Sequence, residues 1–216
     1  MIELSRDGDV FVLRMDDTEN RFSPPMLDAL EGALETVAAA EGPRALVTTG
    51  TGKFFSNGLD LDWLTSHPEE SRAYIDRVHR LFARILTMPC ATAAACNGHT
   101  FAAGAMFALA HDHRVMRNDR GYWCFPEVDL GLPFTDVMNA LIRARLPITA
   151  AHEAMVTGRR YGGVDATKAQ IVQEAVSEAH VVAHAVDWVR PLATKASPTM
   201  ATIRSMLYAE VLALLD

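Results

Sequence analysis

The chain has 216 residues, half of them apolar and 22% charged, enough to bury a core without disulfide or metal staples. Its 20 basic and 27 acidic residues leave a net charge of −7, which argues against the basic footprint of a general nucleic-acid binder. No apolar run approaches the ~20 residues that span a bilayer, Met1 to Val10 has no signal-like apolar stretch, and Leu214-Leu215-Asp216 is not a peroxisomal address, so a cytoplasmic protein with no membrane partner is expected.

Ile2 to Leu4 and Val10 to Met15 flank Asp7-Gly8-Asp9 and predict an antiparallel hairpin. Pro24 and Pro25 open a helix whose apolar positions Leu27, Leu30, Leu34 and Val37 share one face. Ala45 to Thr49 is a short buried strand leading into a Gly-rich loop, Gly50 to Gly58. After Pro68 a second amphipathic helix carries Tyr74, Val78, Leu81, Phe82 and Ile85 inward and stops at Met88-Pro89. Ala91 to Cys96 is the next strand, followed by a loop and helix over Asn97 to Ala110. Arg114 to Met116 and Tyr122 to Phe125 are two further short strands. The rest is mainly helical: Val137 to Leu146, Thr149 to Thr157, Ala179 to Leu192 and Thr199 to Leu215. Alternating strands and helices imply a mostly parallel sheet, in which ligands bind beyond the carboxyl ends of the strands. The two Gly-containing loops both occupy such positions and are expected to line one site.

Three segments carry chemistry. Lys53-Phe54-Phe55-Ser56-Asn57-Gly58-Leu59-Asp60-Leu61 follows a strand with small residues that let backbone amides face a ligand. Asn97-Gly98-His99-Thr100-Phe101-Ala102-Ala103-Gly104 leads into a helix, whose first amides carry partial positive charge suited to a developing oxyanion. Phe125-Pro126-Glu127-Val128-Asp129-Leu130-Gly131-Leu132-Pro133 sets a carboxylate among apolar residues, where desolvation raises its pKa toward that of a general base. Each segment alone also reads as an ordinary turn or a surface acid. Cys90, Cys96 and Cys124 lack metal-ligand spacing and read as buried free thiols.

Taken together, and in this order, the three segments resemble the crotonase superfamily, the enoyl-CoA hydratase/isomerase family. The resemblance runs from the hairpin to about Val176. It implies an α/β fold of repeated ββα units, with residues 1–195 as the core and 196–216 as a shortened C-terminal helical segment. It also implies an acyl-coenzyme A substrate, with coenzyme A as part of that substrate and no separate cofactor or metal. Carried over residue by residue, the oxyanion amides are those of Leu59 and Ala103 and the acid is Glu127. Substrate contacts are expected from Phe22, Lys53, Ser56, Gly58, Asp60, Leu61, Gly98, Phe101, Ala102, Pro126, Leu130 and Gly131, with Trp63 as a further acyl contact. A homotrimer or dimer of trimers is implied.

The hydratases of this family use two glutamates, and the first of those positions is Met106 here. A thioether exchanges no protons, so one base moving a proton from C2 to C4 of a 3-enoyl thioester is favoured over hydration. The local sequence looks very like the plant-type monofunctional 3,2-trans-enoyl-CoA isomerases. Dienoyl-CoA isomerases share the Glu-Val-Asp-x-Gly-Leu run and add an aspartate, from which Asp136 lies one residue off. Hydration, dienoyl isomerisation and thioester hydrolysis stay open as alternatives on the same site, and a catalytically inactive acyl-CoA- or RNA-binding relative as a different class. Elsewhere, His111-Asp112-His113 reads as a helix-to-strand junction, and His99 as a structural or pocket-lining residue. Arg143, Arg145, Arg159 and Arg160 read as solvated helix ends, and Gln170 replaces a glycine usual at one turn of the family.

Overall fold

The computed structural model describes residues 2–215. The hairpin forms as β1 (Ile2–Asp7) and β2 (Val10–Met15), antiparallel, with Asp7 opposite Val10. From β2 the sheet grows through β3 (Ala45–Gly50), β5 (Ala91–Cys96), β7 (His113–Arg117) and β9 (Glu174–Val176), every later pair parallel. A second, three-stranded parallel sheet is made of β4 (Phe54–Ser56), β6 (His99–Phe101) and β8 (Trp123–Cys124). The chain thus repeats one step three times: a strand in the large sheet, a strand in the small sheet, then helix.

The helices in chain order are α1 (Pro24–Ala39), α2 (Leu61–Ser66), α3 (Ser71–Leu86), α4 (Ala103–Ala110), α5 (Glu127–Leu130), α6 (Asp136–Arg145), α7 (Ile148–Thr157), α8 (Gly163–Lys168), α9 (Val181–Val189), α10 (Pro198–Leu207) and α11 (Ala209–Leu212). Strand alternation divides the core in two. Val10, Val12, Ala45, Val47, Ala91, Ala93 and Ala95 face α9. Phe11, Leu13, Met15, Leu46, Ala94 and Cys96 face the larger cluster with α1, α3, α4 and α6. Both faces of the parallel strands are covered, as such sheets require. All eight residues of α4 are buried, so this helix is apolar all round and runs through the core.

Three differences from the expected elements have local causes. β4 and β6 lie within segments read as loops, because three residues are too few to show an alternation. The helix expected over Ala179 to Leu192 is α9 alone, since Pro191 lacks an amide and Arg190–Lys195 tightens into a 3₁₀ turn. The helix expected over Thr199 to Leu215 breaks at Tyr208 into α10 and α11, where Arg145 Nη1 holds the Tyr208 hydroxyl at 2.6 Å. Arg145 is therefore not a solvated helix end; it also donates to the carbonyls of Leu109 and His111. Gln170 keeps the left-handed backbone, φ 58°, that a glycine would adopt freely.

Arg204 of α10 donates to the Met88 carbonyl and to Asp112, tying the C-terminal helices to the ends of α3 and α4. His111 is fully buried between the Phe107 carbonyl and the Thr48 hydroxyl, and His113 contacts Glu174. Their partners are structural, in keeping with a helix-to-strand junction.

Candidate active site

The register of the small sheet brings the three chemical segments together. Ser56 lies beside Thr100, Thr100 beside Trp123, and Phe101 beside Cys124, so β4, β6 and β8 end side by side and pointing the same way. Their ends lead into Asn57-Gly58-Leu59, Ala102-Ala103 and Phe125-Pro126-Glu127, respectively.

In the first loop every amide but one is occupied. The Gly58 amide donates to Ser56 Oγ at 3.2 Å, and the Asp60 amide to the Tyr74 hydroxyl at 2.9 Å. Ser56 and Tyr74 are themselves anchored, on the carbonyls of Asn20 and Phe22. Asp60 then caps α2 by accepting from the Trp63 amide. The Leu59 amide between them has no hydrogen-bond partner among the described residues.

The second free amide is Ala103, the first residue of α4. Ala102 before it has φ 49° and ψ −127°, a conformation an L-residue adopts at a cost of about 1–3 kcal/mol. As the first residue of the helix Ala103 has no carbonyl four residues back within it, and its N–H has no acceptor among the described residues. The two loops touch: a Cβ built on Gly58 (φ 84°) would lie 3.0 Å from the Ala103 nitrogen. Two unoccupied amides therefore stand close to each other, already fixed, which is the arrangement that stabilises a developing oxyanion with little reorganisation.

Glu127 opens α5 behind Pro126 and is 8% exposed. Its Oε2 has no hydrogen-bond partner among the described residues. Burial pushes its carboxyl up to about 7, opposed only by a bond to its own amide. Leu59, Ala102, Ala103, Pro126 and Glu127 line one cavity of about 500 Å³ together with Leu61 and Leu130. Leu64, Ile75, Leu132, Pro133 and Met138 complete an apolar wall, and Arg21, Asn57, Asp62 and Thr135 supply its polar groups. Arg21 bonds to Glu19 and Asp62, so Asp62 is a paired, exposed acid rather than a second base.

The other expected contacts lie off this wall. Phe22 is fully buried against Phe107, beneath the first loop. Ser56, Gly58 and Asp60 shape the loop from behind. Lys53 and Gly98 line a separate depression with Arg117 and Arg120, where β4 and β6 begin. Phe101 is packed among Phe54, His99 and Arg160. Lys53 and Gly98 precede β4 and β6, so they lie at the amino ends of the small sheet, whereas the cavity lies beyond its carboxyl ends. Gly131 is the left-handed C-cap of α5, and Trp63 stacks on His67 at 4.5 Å. His99 accepts from the Tyr122 amide and stays outside the cavity. Met106 is fully buried in the core rather than on the wall. Among the wall residues not foreseen, Leu64, Ile75 and Met138 arrive by packing of α2, α3 and α6, without a motif. Thr135 was legible only as a helix cap before Asp136.

Residues 5–214 match the family described as enoyl-CoA hydratase/isomerase. The chain belongs to that family. Enoyl-CoA delta isomerase 2, peroxisomal, from Arabidopsis thaliana is 37% identical over the whole chain and 95% of its own length. Enoyl-CoA delta isomerase 1, peroxisomal, from the same organism is 33% identical over 83% of the chain and 76% of its own length. Among solved structures, a probable enoyl-CoA hydratase from Mycobacterium tuberculosis superposes with a TM-score of 0.89 at 26% identity, over the whole chain and 93% of its own. These relatives overturn the cytoplasmic expectation, since two of them are named peroxisomal.

Proposed function

We propose that the chain is an enoyl-CoA delta isomerase that moves a double bond from C3 to C2 of an acyl-CoA thioester. The observation that carries this is the single unpaired carboxylate of the cavity, Glu127, lining it together with two free amides. Glu127 takes a proton from C2. The negative charge spreads onto the thioester oxygen, which accepts from the Leu59 and Ala103 amides, and Glu127 returns the proton to C4. Bond order moves and no oxidation state changes, so coenzyme A enters as part of the substrate and the scheme uses no metal or separate cofactor.

Hydration needs a second proton-transfer group, and the buried thioether of Met106 offers none. The aspartate a dienoyl isomerase adds has no counterpart on the wall, since Asp136 lies in a neighbouring depression. The family's enoyl-CoA chemistry and its isomerase relatives support a place in fatty-acid β-oxidation. Exposed Ile148, Ile203, Met206 and Leu207 support assembly as a trimer or dimer of trimers. The test is incubation with cis-3- and trans-3-enoyl-CoA in deuterated water. A 2-enoyl product is expected; a 3-hydroxyacyl product or release of free coenzyme A, without isomerisation, would overturn the assignment.

A further inference from the structure

Two polar side chains of the cavity wall are tied to neighbouring acids beside the first loop. Arg21 is bonded to Glu19 and Asp62, and Asn57 to Glu19. Thr135 lies apart from them, against α3. A threonine hydroxyl has three hydrogen-bonding valences, one as donor and two as acceptor. As the N-cap of α6 it accepts from the Met138 amide at 3.3 Å. It also shares a hydrogen bond of 2.9 Å with Nε2 of His79, a 5%-exposed ring on α3 whose Nδ1 lies 4.0 Å from Asp76. Whichever ring nitrogen carries the proton, one valence of Thr135 stays open; the tautomer decides only whether it donates or accepts.

A second observation agrees with the first. Thr135 and Ile75 belong both to the apolar cavity and to an adjoining depression of about 470 Å³. That depression mixes polar groups of Ser71, Arg72, Asp76 and Asp136 with apolar Val137, Leu214 and Leu215, whereas the cavity is mainly apolar. An alkyl chain reaching the Ile75–Thr135 boundary strips water from the open valence and replaces it with nothing, whereas an oxygen function there restores the bond.

We propose that Thr135, oriented by His79, selects acyl-CoA thioesters whose acyl chain carries a hydroxyl or oxo group where it reaches the Ile75–Thr135 boundary. Thr135 is the specificity-determining residue and His79 its positioning residue. The inference rests on the cavity being an acyl-CoA site, not on the direction of isomerisation.

It is tested by calorimetric titration with saturated acyl-CoA thioesters, which bind without isomerising. They are used in matched pairs, with and without a hydroxyl, the hydroxyl being moved along the chain. At one position the wild type should bind the hydroxylated member about three- to tenfold tighter. Thr135→Val should abolish that ratio and Thr135→Ser should keep it. His79→Phe should reduce it by freeing the hydroxyl to rotate. Binding of plain chains with no favoured hydroxyl position, or a ratio that survives Thr135→Val, overturns the proposal. Failure of both members to bind removes the acyl-CoA reading itself.

Discussion

Burial of Glu127 with one oxygen unpartnered lifts its carboxyl to about 7, and the sign of that lift can be followed into two measurements. A raised folded-state pKa means the native chain holds this proton more tightly than the unfolded chain does. The stabilisation is complete below the unfolded value, near 4.5, and is lost as pH rises to about 7. At about 1.4 kcal/mol per unit, the charged form costs the fold up to about 3 kcal/mol above neutrality. Glu127→Gln should therefore melt higher than the wild type at pH 8 and little differently at pH 5, by calorimetry. The same variant should lose about 10²–10⁴-fold or more in kcat on 3-enoyl-CoA while still binding acyl-CoA, and wild-type kcat/KM should climb with pH and level off above about 7. Unchanged turnover would remove Glu127 from the mechanism. Met106 supplies the contrasting case: it is sealed in the core, so Met106→Glu should lower the melting temperature and confer no hydration of 2-enoyl-CoA.

At the scale of elements, α4 holds its amide in place by packing against β4. A Cβ on Gly104 would come within 2.6 Å of the Ser56 carbonyl oxygen, which cannot yield without moving the strand. Gly104→Ala should cost about 1–3 kcal/mol of stability and displace the Ala103 amide, with a loss of kcat on the order of 10²-fold. A lower melting temperature with intact kcat would show that α4 does not fix the amide. Gln170→Gly, far from the cavity, should instead relieve a left-handed φ of 58° and raise the melting point by about 2–4 °C, on the order of 1 kcal/mol. These elements also show what a sequence conveys. The three loops were legible because their chemistry needs particular residues at particular places: an amide after Gly58, a helix start at Ala103, an acid behind Pro126. Lys53 and Gly98 stand in the same motifs yet precede β4 and β6, at the opposite ends of those strands from the cavity, and Phe101 packs on Phe54 and His99; strands of three residues are too short to be recognised, so their two ends are not told apart in the sequence. Leu64, Ile75 and Met138 reach the cavity only through the docking of three helices, which no local pattern encodes.

For the whole molecule, the parallel pairing of β2, β3, β5 and β7 was legible from alternating strands and helices, while their order and the separate three-stranded sheet were not. The exposed apolar side chains on α10, Ile203, Met206 and Leu207, with Ile148 on α7, leave a surface that a monomer would expose to water. Sedimentation should give three or six times the chain mass, reduced by the double change Met206→Glu and Leu207→Glu; a wild-type monomer at every concentration would end the trimer proposal. The small sheet has a consequence of another kind. Its three strands belong to three successive steps of the chain, and each step delivers one working group: the Leu59 amide, the Ala103 amide and the Glu127 carboxylate. No fragment ending before β8 holds all three, however well it folds. Turnover is thus a logical conjunction of three separately encoded pieces, and two inactive halves cut between α4 and β7 should signal their reunion by regaining it.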